Sequence, residues 1–283
     1  MPLSAADLAD LRRARAMLEN PGAAMKVTNL IGLPVEKAFE LLPRGFARIV
    51  SGSTRALLRV ALAVGAWTLS SRRTRPSSNG LHKFLATSSG AIGGFFGLAA
   101  LPIELPISTM LMLRSIADIA RSEGEDLWTP EARAACIQVF ALGSRSPSDD
   151  AAETGYFAVR ALLARTVGEA AEFVLEKGIV QEGAPVLVRF VAAVASRASV
   201  SVSEKAVLQA VPVIGAVGGA GVNLLFIAHF QRMARGHFIV RRLERTYGRE
   251  AVRSAYDVAV EVKVVVAPPL LLSRGSGEPP RLA

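Results

Sequence analysis

His229, Met233, His237, Arg241 and Glu244 recur at intervals of four, four, four and three residues, the spacing that places side chains on one face of an α-helix. Imidazoles in such a row offer proton transfer near neutral pH or metal ligation. Two histidines eight residues apart are separated by about 12 Å of helical rise, too far to share one metal ion without help from elsewhere. No His-Glu-x-x-His is present, so a zincin centre is not supported. Arg232, Arg235, Arg241, Arg242 and Arg245 crowd the same stretch against only Glu244 and Glu250. A basic face of this kind fits phosphate groups or anionic lipid, and the alternative is a solvated helix whose arginines are taken up by ion pairs.

Other ionisable residues stand out by isolation or by clustering. From Gly90 to Leu113 the single ionisable side chain is Glu104, and from Ala206 to Ala228 there is none. Each of these segments opens with a glycine phrase, Gly90-Ala91-Ile92-Gly93-Gly94 and Gly215-Ala216-Val217-Gly218-Gly219. Superposing the phrases sets Glu104 on His229, an acid and an imidazole that would meet if the two segments pack as a pseudo-symmetric pair. Asp149 and Asp150, with Glu153, gather at an expected helix start, where they suit a divalent cation or simply the helix dipole. Cys136 lies among Ala134, Ala135 and Ile137 and reads as a core thiol rather than a nucleophile. Phosphate-binding loop, dinucleotide fingerprint and Gly-x-Ser-x-Gly elbow are all missing. Together these residues leave one enzymatic alternative, a metal-dependent or acid/base hydrolase using Glu104, Asp149, Asp150, His229 and His237; no metal or cofactor can be named.

The elements that must carry these groups are helical. Hydrophobic residues make up 51% of the 283 and aromatic residues only 6%, so the apolar mass is alanine, leucine and valine, a composition that favours helices over sandwiches or barrels. Leu3, Leu8, Leu11 and Leu18 predict an N-terminal amphipathic helix within residues 1–22, stopped by Asn20-Pro21-Gly22. Further helices are expected over Pro34 to Leu42, Phe46 to Leu69 and Ile107 to Arg121. Capping residues Thr129, Ser146 and Ser201 mark others near 130–142, 147–177, 184–197 and 202–210. Ser71 to Gly80 reads as a connection, and Pro102 and Pro106 as breaks. Gly124 is expected to end the helix that reaches Arg121, and Glu123-Gly124-Glu125-Asp126 reads as a helix exit with an exposed acidic turn. Val262 to Val266 alternates like a strand and reads as an isolated strand or plain disorder at the head of a flexible C-terminal tail, 262–283. Gly90, Gly93, Gly94, Gly97, Gly215, Gly218 and Gly219 provide helix faces without side chains, at a cost of about 1 kcal/mol of helix propensity each, which close packing must offset. The expected fold is all-α, a single multi-helical domain over 23–261 built around the two glycine-rich segments.

Net charge is +9, with only six lysines among 33 basic residues, which permits attraction to phosphate-rich partners. Nucleic acid is disfavoured by the scarcity of aromatic residues for base stacking. One cysteine excludes an internal disulfide, and the charged N-terminus lacks a secretory signal, so the expected location is cytoplasmic, at or partly inserted into the inner face of the membrane.

Several separated motifs carry a resemblance over roughly residues 23–260. They are Leu101-Pro102-Ile103-Glu104-Leu105-Pro106, Arg114-Ser115-Ile116-Ala117-Asp118-Ile119-Ala120, Gly124-Glu125-Asp126-Leu127, Phe140-Ala141-Leu142-Gly143, Asp149-Asp150-Ala151-Ala152-Glu153, Val211-Pro212-Val213-Ile214-Gly215-Ala216 and His237-Phe238-Ile239-Val240-Arg241-Arg242-Leu243-Glu244-Arg245. In combination they resemble the bacterial EcsC family, which takes its name from a protein encoded beside an ABC transporter. The resemblance implies no catalytic residues. Residues and resemblance together lead to the expectation of a non-enzymatic, membrane-associated accessory protein linked to transport or envelope processes, with anionic lipid, a transporter or another membrane protein as partner.

Overall fold

The computed structural model describes residues 2–19, 77–96, 101–143, 156–177, 189, 194 and 215–264, and all its regular secondary structure is helical. The all-α expectation holds. Seven helices carry the described chain: α1 (Ala5–Glu19), α2 (Asn79–Phe96), α3 (Leu101–Ser122), α4 (Pro130–Leu142), α5 (Tyr156–Lys177), α6 (Gly215–Tyr247) and α7 (Arg249–Val264).

Local chemistry sets most of the boundaries. Ser4 caps α1: its hydroxyl accepts from the Asp7 N–H at 3.1 Å and donates to the Asp7 carboxylate at 2.7 Å, satisfying one of the donors that a helix start leaves unpaired. Thr129 caps α4 by accepting the Ala132 N–H, with proline in the first turn, and the helix runs over the expected 130–142. Gly124 ends α3 with φ +81°. The Glu125 N–H reaches the Ala120 carbonyl and the Gly124 N–H the Arg121 carbonyl, a Schellman ending that needs a left-handed residue at this point.

Three expectations change. Asn79 and Gly80 belong to the first turn of α2 rather than to a connection. Pro102 and Pro106 lie inside α3, because a proline in the first turn removes only a donor that has no helical partner, and Pro106 forfeits a single bond. Val262 to Val264 complete α7 instead of a strand, as Val252 and Tyr256 bury one face of an amphipathic helix there. The expected elements over Pro34 to Leu42, Phe46 to Leu69 and 202–210, the starts at Ser146 and Ser201, residues 265–283, and Gly97, Asp149 and Asp150 lie outside the described residues. Of 184–197 only 189 and 194 are described, both helical.

α6 is the central element. It packs most extensively on α2, then on α1, α3, α7 and α4, while α5 rests on α4. One core cluster joins α2 to α6, with Ile116, Ile119, Ile137, Phe140, Ile227, Phe230 and Phe238 buried. A second joins α1, α6 and α7 through Leu11, Ala14, Leu243, Val252 and Tyr256. Gly236 allows α1 to seat closely: a Cβ there would lie 2.8 Å from Leu18 Cγ and 2.9 Å from the Ala14 carbonyl oxygen.

Register between helices follows from a few polar contacts. Gln231 on α6 donates to the Asn79 carbonyl on α2 and to the Ser115 hydroxyl on α3, and Asn223 donates to the Ala86 carbonyl. Thus α2 runs antiparallel to α6 and α3 runs back alongside it. Continued along the helices, this register sets Gly90 level with Gly219 and Gly94 with Gly215.

Candidate functional site

The row of residues from His229 to Arg245 lies along α6 and faces several different neighbours, so its members serve separate local centres. His229 and His237 do not meet. His229 Nε2 donates to the Gly143 carbonyl at the end of α4, at 2.7 Å. Burial holds this imidazole below its ordinary pKa, and the carbonyl opposes the shift without overcoming it. Gly143 is confined by the next residue of α6, since a Cβ would meet the Phe230 ring at 2.6 Å.

His237 is buried two helical turns further on. Its Nδ1 lies 2.8 Å from the Tyr156 hydroxyl. Arg160 reaches that same oxygen at 3.3 Å and binds both carboxylate oxygens of Glu244 at 2.8 and 2.6 Å. Because the guanidinium only donates, the tyrosine oxygen accepts from Arg160 while it shares a second hydrogen bond with Nδ1. Burial pushes the Tyr156 phenol up to about 12 and, with Arg160 and Arg241 nearby, drives His237 well below its usual value. The chain from Glu244 to His237 passes through an arginine that stays charged, so it orients groups but cannot relay a proton between acid and imidazole.

The basic face meets an acidic counterpart in its own fold. Arg241 Nε binds Glu125 at 2.8 Å, and Arg245 contacts the same carboxylate and the Glu123 carbonyl. Arg235 reaches Glu123 at 3.4 Å and the Ser77 hydroxyl at 2.9 Å, while Arg242 spans Asp10 of α1 at 2.5 Å and Glu123 at 3.2 Å. Burial alone would raise the Glu125 carboxyl, but its two arginines override that and hold it below the usual carboxylate range. The acidic turn read as exposed is therefore docked: the Gly124 ending turns Glu125 back onto α6. Arg232 lies half-buried on the same helix.

A second polar centre was not foreseen. Asp118 on α3 accepts from the Ser78 N–H at the start of α2 at 2.6 Å and from Arg121 at 2.6 Å, and His82 Nε2 stands 3.4 Å away. Burial opposes ionisation of Asp118, and Arg121 and Ser78 overcome it, so the carboxyl sits below its usual value; His82 is also lowered, burial outweighing the pull of Asp118. His82 stands just past Ser71–Gly80, a stretch read as a connection, and only the fold brings it to Asp118.

These contacts tie helices that the family motifs describe piecemeal. The model of the EcsC protein family matches residues 5–243. The chain belongs to the EcsC family. The EcsC match opens on α1, in keeping with the seat of that helix at Gly236 and its Asp10 link to Arg242, and closes on α6. Among curated proteins and among solved structures, none matches this EcsC chain.

Of the remaining expected site residues, Glu104 lies on α3, Gly90, Gly93 and Gly94 on α2, and Gly215, Gly218 and Gly219 on α6; no side-chain contact of Glu104 is described. Among the described residues no three His, Cys, Asp or Glu side chains converge as metal ligands. Cys136 is a core thiol, buried and pushed up to about 12 mainly by that burial, too high for a nucleophile at neutral pH.

Proposed function

We propose that this EcsC-family chain is a non-enzymatic, membrane-associated accessory protein linked to transport or envelope processes at the inner face of the cytoplasmic membrane. The observation that carries the reading is the outer face of α2, where Leu81, Phe84 and Leu85 are all exposed at the spacing of one helical face. Scattered exposed leucines need no explanation, but an apolar face of this kind is what contact surfaces look like. The polar groups favour the same reading by being occupied elsewhere. His229 holds a carbonyl, His237 a tyrosine, and Arg235, Arg241, Arg242 and Arg245 hold acids of the same fold. No helix among the described residues is long and apolar enough to cross a membrane, so the contact proposed is with one side of the bilayer or with a protein embedded in it.

Fractionation of the untagged protein, carbonate extraction of the membranes and flotation with anionic vesicles at low salt test this. Recovery with membranes and with floated vesicles is expected. Complete recovery in the soluble fraction with no flotation would overturn the proposal.

A further inference from the structure

Resting on the membrane reading, we infer that the end of the α2–α3–α6 bundle carrying the glycine phrases enters one leaflet of an anionic bilayer, with Lys83, Arg114 and Arg232 at the level of the lipid phosphates. Three observations carry this beyond an exposed helix face.

The first is the register. Gln231 joined to Asn79 and Ser115, and Asn223 joined to Ala86, place Phe84, Leu85, Ile107 and Leu224 at one height on three different helices. These four are 68%, 39%, 48% and 40% exposed. They form an apolar belt that crosses three helices at one height instead of a stripe along one helix.

The second is the interior at that height. Ser108, Thr109 and Asn223 are buried there, Asn223 donating to the Ala86 carbonyl at 2.9 Å. These polar groups sit among the buried apolar side chains Ala86, Val222 and Phe226, while large apolar groups face outward at the same height. An interior that carries bonded polar groups behind an apolar outer surface matches helices packed in lipid, where such groups bond across helices. The hydroxyls of Thr87 and Ser88 turn back to the carbonyls of Lys83 and Phe84 at 2.7 and 2.9 Å, so α2 asks for no water at the belt.

The third is where charge stops. Beyond Lys83 on α2, before Arg114 on α3 and before Arg232 on α6, the sequence of the three helices contains one formal charge, Glu104. The three boundaries fall within about 8 Å of one another along the bundle. Residues 84–96 of α2 reach about 20 Å beyond the boundary at 1.5 Å per residue. That exceeds the roughly 15 Å of one leaflet's hydrocarbon and falls short of the roughly 30 Å of a full core, so the bundle end fits one leaflet and its polar surface. A collar of cations at such a boundary complements anionic headgroups and lets long side chains reach the interface.

The test labels single cysteines in the full chain with an environment-sensitive fluorophore, using Phe84→Cys and Leu224→Cys, with Val258→Cys on α7 as the exposed control and Cys136→Ala as background. With phosphatidylglycerol-containing vesicles, labels at 84 and 224 are expected to shift to the blue and to be quenched by acyl-chain-brominated lipid, while the label at 258 stays aqueous. Phe84→Asp is expected to lower the floated fraction at least about tenfold, the factor that goes with one buried aromatic side chain. Glu104→Gln, which removes the one charge beyond the collar, is expected to raise it. Both variants are first checked for unchanged helical circular dichroism, and label positions report insertion even where Phe84→Asp fails to fold. If the protein floats while labels at 84 and 224 remain aqueous, the insertion geometry falls and membrane association stands. If nothing floats, both fall. Protection of these labels without lipid, rising with protein concentration, identifies a second copy as the occupant and overturns the inference.

Discussion

Arg160 and Glu244 meet through two hydrogen bonds in a nearly buried setting, and each is the partner that makes the other's charge tolerable there. Removing one side leaves an uncompensated charge, so Arg160→Ala is expected to cost about 3–5 kcal/mol of stability in chemical denaturation. The same residue holds Tyr156 against His237, and none of this was readable from spacing, because Tyr156 and His237 are 81 positions apart. The helical row from His229 to Glu244 was legible; which neighbour each member meets was not, since that depends on helices brought in from elsewhere in the chain. The histidines also set a pH dependence. His82, His229 and His237 are all held below the ordinary imidazole value, mainly by burial. The unfolded chain therefore takes up protons first as pH falls below about 6.5, and stability present above that value is lost by up to about 1.4 kcal/mol per pH unit for each histidine. Denaturation midpoints measured from about pH 7.5 to about pH 5 should fall accordingly. His229→Gln, whose amide can still donate to the Gly143 carbonyl, should flatten the slope by one of the three contributions.

At the scale of helices, ends carrying their own capping chemistry were legible. Thr129-Pro130 and Gly124 contain the groups that start α4 and stop α3, and both boundaries fall where those residues put them. Boundaries decided by packing were not. Val262 to Val264 favour strand by side-chain type, yet α7 carries them as helix because its buried face lies on α6 and α1. The acidic turn looked solvated because exposure is the usual fate of Glu and Asp; Arg241 and Arg245, more than a hundred positions later, decide otherwise. The glycine phrases predict close approach of the segments that carry them; the seat of α1 depends on a different glycine, Gly236. Gly236→Val would press a branched side chain on the Ala14 carbonyl and Leu18. It is expected to lower stability by about 1–3 kcal/mol and to speed proteolytic cleavage between α1 and α2, whereas Gly221→Ala, with no neighbour within 4 Å of its Cβ, should do neither.

Across the whole molecule, composition was enough to reach an all-α fold, and the charge-free segments were enough to raise the question of membranes. The answer offered for them depends on register, which sequence does not contain. Only once Asn223 meets Ala86 and Gln231 meets Asn79 do exposed residues of three helices line up at one height. The same architecture places α6 in contact with all six other described helices, among them α1. Asp10 and Arg242 are 232 positions apart, so during synthesis at about 5–20 residues per second α1 exists for roughly 10 to 50 s before its seat on α6 does. Made ahead of every other described helix, α1 is thus among the last of them to dock, and for that interval Leu11 and Ala14 have no partner from α6. A chain with a stalled or shortened C-terminal part would present this apolar stripe to chaperones and proteases, which makes α1 a natural reporter of whether synthesis has run through α6.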